Sequence, residues 1–223
     1  MLRLPGGGYD HSIFRVTAPD HHADVSGMKH TLFSLLLSCT LGAIAPTCAN
    51  AADNDVAVLK TSAGEMVVTF WPDAAPNTVA NFIKLAKSGF YDGTAFHRII
   101  DGFMIQGGDP LTKDPSKESD YGTGHADEPI KAEFNDHKHE FGVLSMARGQ
   151  DPNSASSQFF ICLGATPQLD HNYTAFGKLI KGDDVLRKIG KTPVGPSANG
   201  EPSKPLTRVA LESVKIVPAD SIK

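Results

Sequence analysis

Short β-type runs separated by glycine-containing turns fill most of the chain after residue 55, and this pattern constrains the fold more than any other feature. Runs of about four to eight residues rich in β-branched and aromatic side chains are typical of strands. Such runs occur at Val56–Lys60, Glu65–Trp71, Thr94–Ile100, Phe103–Gly107, Gly142–Met146, Gln158–Leu163, Ala175–Ile180 and Arg208–Val217. Because many short strands accompany few helices, the sequence predicts a mainly β fold, a closed antiparallel barrel and not a parallel α/β sheet.

Two helices interrupt the β pattern. The first begins near Pro76 and places Val79, Phe82, Ile83 and Ala86 at i, i+3, i+4 and i+7, which is one face of a helix. The second is shorter. Asp183 is its predicted cap and Gly190 its predicted end, and the buried face comprises Val185, Leu186 and Ile189.

Composition is that of a soluble globular protein. Of the 223 residues 40% are hydrophobic and 21% charged, and the net charge of −4 gives no support to nucleic-acid binding. This length favours one ordinary domain with terminal extensions. Two longer segments, Pro110–Pro129 and Thr192–Pro205, are rich in Gly, Pro and charge, and we expect them to be surface insertions.

The N-terminal region has the layout of a secretory signal peptide. From Met28 a short basic start leads into the apolar run Leu32–Ile44 and then the small-residue end Ala49–Asn50–Ala51. The apolar run is shorter than the ~20 residues that a membrane-spanning helix needs. We therefore expect cleavage after Ala51 and export to the periplasm, with membrane attachment as a lipoprotein through Cys39 as the alternative.

With this predicted signal peptide, the chain divides into five parts. They are an upstream extension outside the fold (1–27), the signal peptide (28–51), a short linker (52–55), the folded domain (56–218) and a C-terminal tail (219–223). Of the three cysteines, only Cys162 remains after cleavage, so no intramolecular disulfide can form. Since Cys162 lies in an apolar run, we expect it to be a small core residue and not a nucleophile.

Four segments carry the residues of chemical interest. They are Phe96–Asp109 (FHRIIDGFMIQGGD), Leu144–Arg148 (LSMAR), Ser157–Ile161 (SQFFI), and Leu169–Asp170 together with Tyr173–Gly177 (YTAFG). Taken alone, they offer mainly apolar side chains with two arginines, Arg98 and Arg148, and two glutamines. Arg98, Phe103 and Gln106 could share a face only if the chain turns at Asp101–Gly102, which glycine permits. From the residues alone the chemistry stays ambiguous.

In order and spacing these segments resemble the cyclophilins, in the form common among bacterial enzymes. The similarity runs from about Val56 to Val217. It implies a closed eight-stranded antiparallel β-barrel capped by two α-helices, with a peptide groove on its outer face. It also implies peptidyl-prolyl cis–trans isomerase activity on proline-containing peptides and unfolded proteins, with no cofactor, no metal and no nucleic acid, in a monomer.

The resemblance also assigns roles to residues. It makes Arg98 the catalytic cation and Gln106 the side chain that braces it. The proline-ring pocket would comprise Phe103, Met104, Phe160 and Leu169. Ala147 and Gln158 would line the groove for the preceding residues, and Tyr173 stands where eukaryotic members often have His. The alternative function is a proline-peptide binding module or chaperone holdase with incidental turnover.

Three further expectations concern polar residues. His97 should be a structural, hydrogen-bonded histidine, because rotation about a peptide bond moves no proton. His125, His137 and His139 could suggest a metal site, but such histidines in a charged loop are more often solvated. Gln168 stands where many members carry an aromatic residue that packs on cyclosporin, so the sequence predicts weak binding of that drug.

Overall fold

The computed structural model describes residues 54–222. The predicted extension and signal peptide, the first half of the predicted linker (52–53), and Lys223 lie outside the described residues. The strands are β1 (Asp55–Thr61), β2 (Gly64–Phe70), β3 (Thr94–Phe96), β4 (Arg98–Ile100), β5 (Met104–Gly107), β6 (Val143–Met146), β7 (Phe159–Cys162), β8 (Ala175–Lys181), β9 (Val194–Pro196), β10 (Pro202–Pro205) and β11 (Val209–Pro218). The helices are α1 (Pro76–Lys87) and α2 (Asp183–Gly190), and neither is long and apolar enough to cross a membrane.

Nine of these strands form one antiparallel sheet across residues 54–222, in the order β3-β11-β1-β2-β8-β6-β7-β5-β4. The two end strands, β3 and β4, are consecutive in the chain and separated only by His97. The sheet therefore closes on itself through the backbone, and the His97 N–H donates to the carbonyl of Gln106 at 3.0 Å. The predicted mainly β barrel is confirmed. Its predicted eight strands become nine because the run Thr94–Ile100 divides at His97.

Alternating side chains give the sheet an inner and an outer apolar cluster. On β7, Phe159 and Ile161 belong to the inner core, whereas Phe160 and Cys162 belong to the outer cluster. Successive strand residues point to opposite faces, which explains the division. Phe82 of α1 packs edge-on against Phe159, with ring centroids 5.4 Å apart. Both helices contribute buried side chains to the inner core.

The N-termini of both helices are capped in ways that the sequence pattern does not predict. The backbone N–H groups of Asn77 and Thr78 at the start of α1 donate to the carboxylate of Glu133, at 3.0 and 2.8 Å. The N-cap of α2 is Gly182, with φ of +97°, and Asp183 is the first helical residue. The prediction of Asp183 as the cap was therefore one residue too late, since the left-handed backbone before the helix favours glycine.

The segment Thr192–Pro205 is more ordered than a surface insertion. It contains the antiparallel hairpin β9–β10, and β10 lies against β4 of the barrel. The sequence did not predict these two strands, because the segment is rich in proline, glycine and charged residues and has no alternation of apolar residues. The other predicted insertion, Pro110–Pro129, begins with the short 3-10 segments Pro110–Lys113 and Pro115–Asp120.

Candidate active site

Strand register on the outer face of the barrel brings the arginine and the first glutamine together. Arg98 of β4 pairs directly with Gln106 of β5, and Gln106 pairs with Phe160 of β7. Directly paired residues project from the same face of a sheet. The predicted turn between these strands is present, with φ of +74° at Gly102 and a 3.0 Å hydrogen bond from the Phe103 N–H to the Ile100 carbonyl.

A small cavity of about 150 Å³ lies on this outer face. Every predicted site residue except Gln158 lines it, and Arg148 joins them: Arg98, Phe103, Met104, Gln106, Ala147, Phe160, Leu169 and Tyr173. Gln158 lines the adjoining cavity, which shares Gln106, Ala147 and Arg148 with the first. The structure thus brings the predicted residues into two contiguous cavities.

Aromatic packing shapes the floor of the apolar cavity. The ring of Phe160 is 5% exposed and meets Tyr173 nearly perpendicularly, with centroids 5.8 Å apart. The imidazole of His139 also packs on Phe160, nearly parallel to it, with ring centroids 6.0 Å apart. Because Phe160 has neighbours on both its face and its edge, the cavity keeps a defined apolar surface in the free protein.

The guanidinium of Arg98 is held by several groups while its side chain remains 33% exposed. Nε and Nη2 donate to the two carboxylate oxygens of Glu201, at 2.7 and 2.9 Å. Nη1 lies 3.4 Å from Oε1 of Gln106 and 3.9 Å from Sδ of Met104. The hydrogen bonds from Arg98 are the main cause that lowers the pKa of Glu201 to about 2, so its carboxylate stays ionised.

A relay of side-chain amides fixes the orientation of Gln106. Nε2 of Gln158 donates to the carbonyls of Gly122 and Gly124, at 2.9 and 2.7 Å. Oε1 of Gln158 therefore faces Nε2 of Gln106 at 2.9 Å, which leaves Oε1 of Gln106 for Arg98. An amide that donates through nitrogen must accept through oxygen. Gln158 thus does more than line the groove, because it also orients the brace of Arg98.

Sequence reasoning missed two charged residues of this site. Glu201 follows Arg98 by 103 residues, in a segment without a recognisable motif. Arg148 directly follows the LSMA motif, and its guanidinium lies 4.7 Å above the ring of Tyr173. It also donates to the backbone carbonyls of Asn172 and Gly149, at 3.0 and 2.9 Å. The motif could have indicated Arg148, whereas no local signal indicates Glu201.

Below the cavity, Ser145, His139 and Asp170 form a hydrogen-bonded row. Nδ1 of His139 lies 3.0 Å from Asp170, and Nε2 lies 3.0 Å from Oγ of Ser145. Ser145 is fully buried and His139 is 2% exposed, so this serine cannot reach a substrate and the row supports the cavity floor. Burial lowers the pKa of His139 against the opposing effect of Asp170.

The histidine expectations were partly wrong. His139 is buried and not solvated, whereas His125 is exposed and His137 stacks on Trp71 with centroids 3.7 Å apart. Among residues 54–222 no group of three potential ligands is placed to hold a metal ion. The ring nitrogens of His97 are buried and form no hydrogen bond of good geometry within residues 54–222, although the backbone of Ala95 is close enough to favour the charged ring. Burial lowers the pKa of His97 to about 4, although Asp109 opposes this shift.

Comparison with known proteins identifies the class that this barrel and site define. The model of the cyclophilin-type peptidyl-prolyl cis–trans isomerases matches residues 56–216. The chain belongs to this family of isomerases, which confirms the resemblance seen in the sequence.

Bacterial relatives agree. A Staphylococcus saprophyticus protein with a provisional name as a peptidyl-prolyl cis–trans isomerase is 38% identical over 72% of this chain and 90% of its own length. A Staphylococcus aureus protein of the same provisional name is 38% identical over 71% of this chain and 90% of its own.

Solved structures agree as well. A Cryptosporidium parvum cyclophilin-type isomerase, crystallised in the presence of the dipeptide Ala-Pro, has a TM-score of 0.64 and 31% identity, over 73% of this chain and 98% of its own. A cyclophilin from Hirschia baltica has a TM-score of 0.60 and 26% identity, over 77% of this chain and 76% of its own.

Proposed function

We propose that this isomerase accelerates rotation about X–Pro bonds in unfolded and exported proteins, with Arg98 stabilising the transition state. The observation that carries the proposal is a permanently charged guanidinium, held by Gln106 and Glu201, at the edge of an apolar cavity. The cavity would receive the proline ring, and the adjoining cavity lined by Gln158 would receive the residues before it.

The barrier to this rotation explains why a cation suffices. Conjugation of the amide gives a barrier of ~18–20 kcal/mol, whereas the two ground states at an X–Pro bond differ by only ~0.5–1 kcal/mol. In the twisted transition state the proline nitrogen becomes pyramidal and regains a lone pair. A guanidinium aimed at this nitrogen stabilises the transition state more than the planar amide, which is the requirement for catalysis.

The apolar walls supply the other part of the mechanism. Phe160, Met104 and Leu169 are each at most 9% exposed and leave little room for water around a bound ring. Water would otherwise hydrogen-bond to the planar amide and stabilise its ground state. The Cryptosporidium parvum relative was crystallised in the presence of the dipeptide Ala-Pro, which supports a proline-containing ligand for this isomerase. No step transfers a proton or forms a covalent bond.

A peptide isomerisation assay tests the proposed activity. Wild type should accelerate interconversion of an Ala-Pro peptide well above the uncatalysed rate, and Arg98→Ala should lower kcat/KM by about a hundredfold or more. Arg187→Ala is the matched control, because it removes a guanidinium that packs on Phe141, a partly buried residue beside the inner core and outside both cavities. Wild type that binds the peptide without accelerating its rotation would instead identify a binding module or holdase.

Gln168 carries a prediction about drug binding. It is exposed on the short turn Pro167–Leu169, beside Leu169 of the cavity. An aromatic ring at this position would offer apolar contact to cyclosporin, whereas the flexible glutamine offers little. We expect weak cyclosporin binding by titration calorimetry, and tighter binding by Gln168→Trp. Nanomolar affinity of the wild-type protein would refute this prediction.

Export and the monomeric state are further parts of the proposal. The predicted signal peptide supports export, and cleavage after Ala51 would release the domain into the periplasm. Mass spectrometry of the protein recovered from cells would show a mature chain beginning at Ala52. A lipid-modified chain beginning at Cys39 would favour the membrane-attached alternative, and light scattering of the purified domain would test the monomer.

A further inference from the structure

We propose that Glu201 is a positioning residue for the catalytic guanidinium, which it orients from a hairpin next to the barrel. This inference rests on the proposed function of Arg98. Glu201 engages Nε and Nη2 of Arg98 through both carboxylate oxygens, at 2.7 and 2.9 Å. Two parallel hydrogen bonds define the plane of a guanidinium as well as its place, which a single contact cannot do.

Glu201 approaches the edge of Arg98 that faces away from the apolar cavity. It lines an adjoining cleft of about 450 Å³ on the other side of Arg98 and Gln106, together with residues of two loops. It does not line the cavity that contains Phe160 and Leu169. The carboxylate therefore leaves the proline pocket open, which distinguishes a positioning role from an autoinhibitory one.

The hairpin turn holds Glu201 in place through its own backbone bonds. The carbonyl of Glu201 accepts from the N–H and the hydroxyl of Ser197, at 2.8 and 2.9 Å. Its N–H donates to Oδ1 of Asn199 at 3.2 Å, and Gly200 adopts φ of +85° between them. Because both ends of the residue are anchored, the carboxylate reaches Arg98 from a prepared position.

Arg98 needs such a partner because its other contacts are weak. Gln106 lies at 3.4 Å and the sulfur of Met104 at 3.9 Å from Nη1, both near the limit of a hydrogen bond. Without Glu201 the guanidinium could rotate about its terminal bonds, and its alignment with a pyramidal nitrogen would be an uncommon state. Misplacement by about 1 Å can lower the rate of a catalysed step by about a hundredfold.

The carboxylate also has an opposing effect, since its negative charge weakens the field of Arg98 at the cavity. The two effects predict opposite results for Glu201→Gln, which keeps an acceptor oxygen but removes the charge. If orientation dominates, this variant is slower than wild type. If the charge effect dominates, it is faster. The two hydrogen bonds of the carboxylate favour orientation.

Steady-state and NMR exchange kinetics on an Ala-Pro peptide test the proposal. Glu201→Ala should lower kcat/KM by about tenfold, which is a part of the loss that misplacement can produce. The decrease should be in kcat, and KM should change little. Glu201→Gln should lie between this variant and wild type. Glu118→Gln is the matched control, since it removes a carboxylate that pairs with Lys204 of the same hairpin, at 3.0 Å, and it should retain wild-type kinetics.

A second background shows that the effect passes through the arginine. In Arg98→Lys the ammonium cannot form the paired contact, so adding Glu201→Ala should change kcat/KM by less than about twofold. The ¹⁵N signal of the Arg98 side chain should also broaden or shift in Glu201→Ala, which a loop effect elsewhere would not produce.

The two variants distinguish a failure of the positioning role of Glu201 from a failure of the proposed function of Arg98. If Arg98→Ala loses activity but Glu201→Ala retains wild-type kcat, or if Glu201→Gln is faster than wild type, the positioning role is overturned and the proposed function stands. If Arg98→Ala itself retains wild-type activity, the proposed role of Arg98 fails, and the positioning role fails with it.

Discussion

At the scale of single residues, burial determines which polar groups can react. Cys162 is fully buried in the outer cluster, as predicted from its apolar surroundings. Burial is the main cause that raises the pKa of its thiol to about 11, against a weak contact with Thr166 at 3.7 Å. Thiolate, and not thiol, is the reactive form. The structure therefore describes an inert cysteine.

This burial predicts slow alkylation. At pH 8 iodoacetamide should leave Cys162 unmodified in the native protein and modify it rapidly after unfolding in guanidinium chloride. Peptide mapping by mass spectrometry measures the modified fraction at this position. Rapid modification of the native protein, at a rate close to that of the unfolded chain, would contradict the burial of Cys162.

Residue positions were predictable where strand pairing or a motif connects them. The pairing of Arg98 with Gln106 follows from a turn at Asp101–Gly102, which the glycine indicates. Glu201 was not predictable, because its contact with Arg98 joins residues 103 positions apart and depends on how the hairpin folds against β4. The burial of His139 was missed for a similar reason, since its partners Asp170 and Ser145 come from other parts of the chain.

At the scale of elements, α1 depends on a carboxylate from outside the helix. Ala75 precedes the helix without a side-chain cap, and Glu133 accepts four hydrogen bonds from Asn77 and Thr78 in its place. The first N–H groups of a helix have no partner within it. Burial tends to raise the pKa of Glu133, but the four hydrogen bonds together lower it.

Removal of this carboxylate should destabilise the domain. Glu133→Ala should lower the free energy of unfolding by about 1 kcal/mol, the usual effect of losing a helix cap. Because the pKa of Glu133 is depressed in the folded state, its contribution is present above the unfolded pKa and is lost as pH falls through the folded pKa. Urea unfolding of wild type, Glu133→Ala and the exposed control Glu128→Gln measures this. Equal stability of all three at pH 7 would refute the capping role.

The helices and the barrel strands were predictable as elements, but not their caps or the hairpin. The apolar period of α1 is present in the sequence, whereas Glu133 follows Asn77 by 56 residues. The hairpin β9–β10 lacks both alternation and a long apolar run, so local propensity could not distinguish it from a loop.

At the scale of the whole molecule, the barrel closes at His97, whose ring nitrogens are buried. Burial lowers the pKa of His97 from 6.5 to about 4 and lowers the pKa of His139 as well. As pH falls below the unfolded value, the unfolded chain binds protons before the folded one does. The buried neutral His97 therefore makes the barrel most stable above pH 6.5 and less stable as pH approaches 4. His139 acts in the same direction.

We accordingly expect the free energy of unfolding to decrease from pH 6.5 to pH 4. His97 alone should account for at most about 3 kcal/mol, from the size of its pKa shift. Urea unfolding at several pH values measures the decrease, and His97→Gln should make it shallower because glutamine does not titrate. An unchanged slope in a folded His97→Gln protein would show that His97 is not the group responsible.

If Arg98 is the catalytic cation, it stabilises the transition state more than the bound substrate. The most direct measurement is NMR exchange on an Ala-Pro peptide, which gives both the affinity and the isomerisation rate of the bound peptide. For Arg98→Ala we expect a bound-state rate lower by about a hundredfold or more, with an affinity within about threefold of wild type. An unchanged bound-state rate, or a loss confined to affinity, would contradict it.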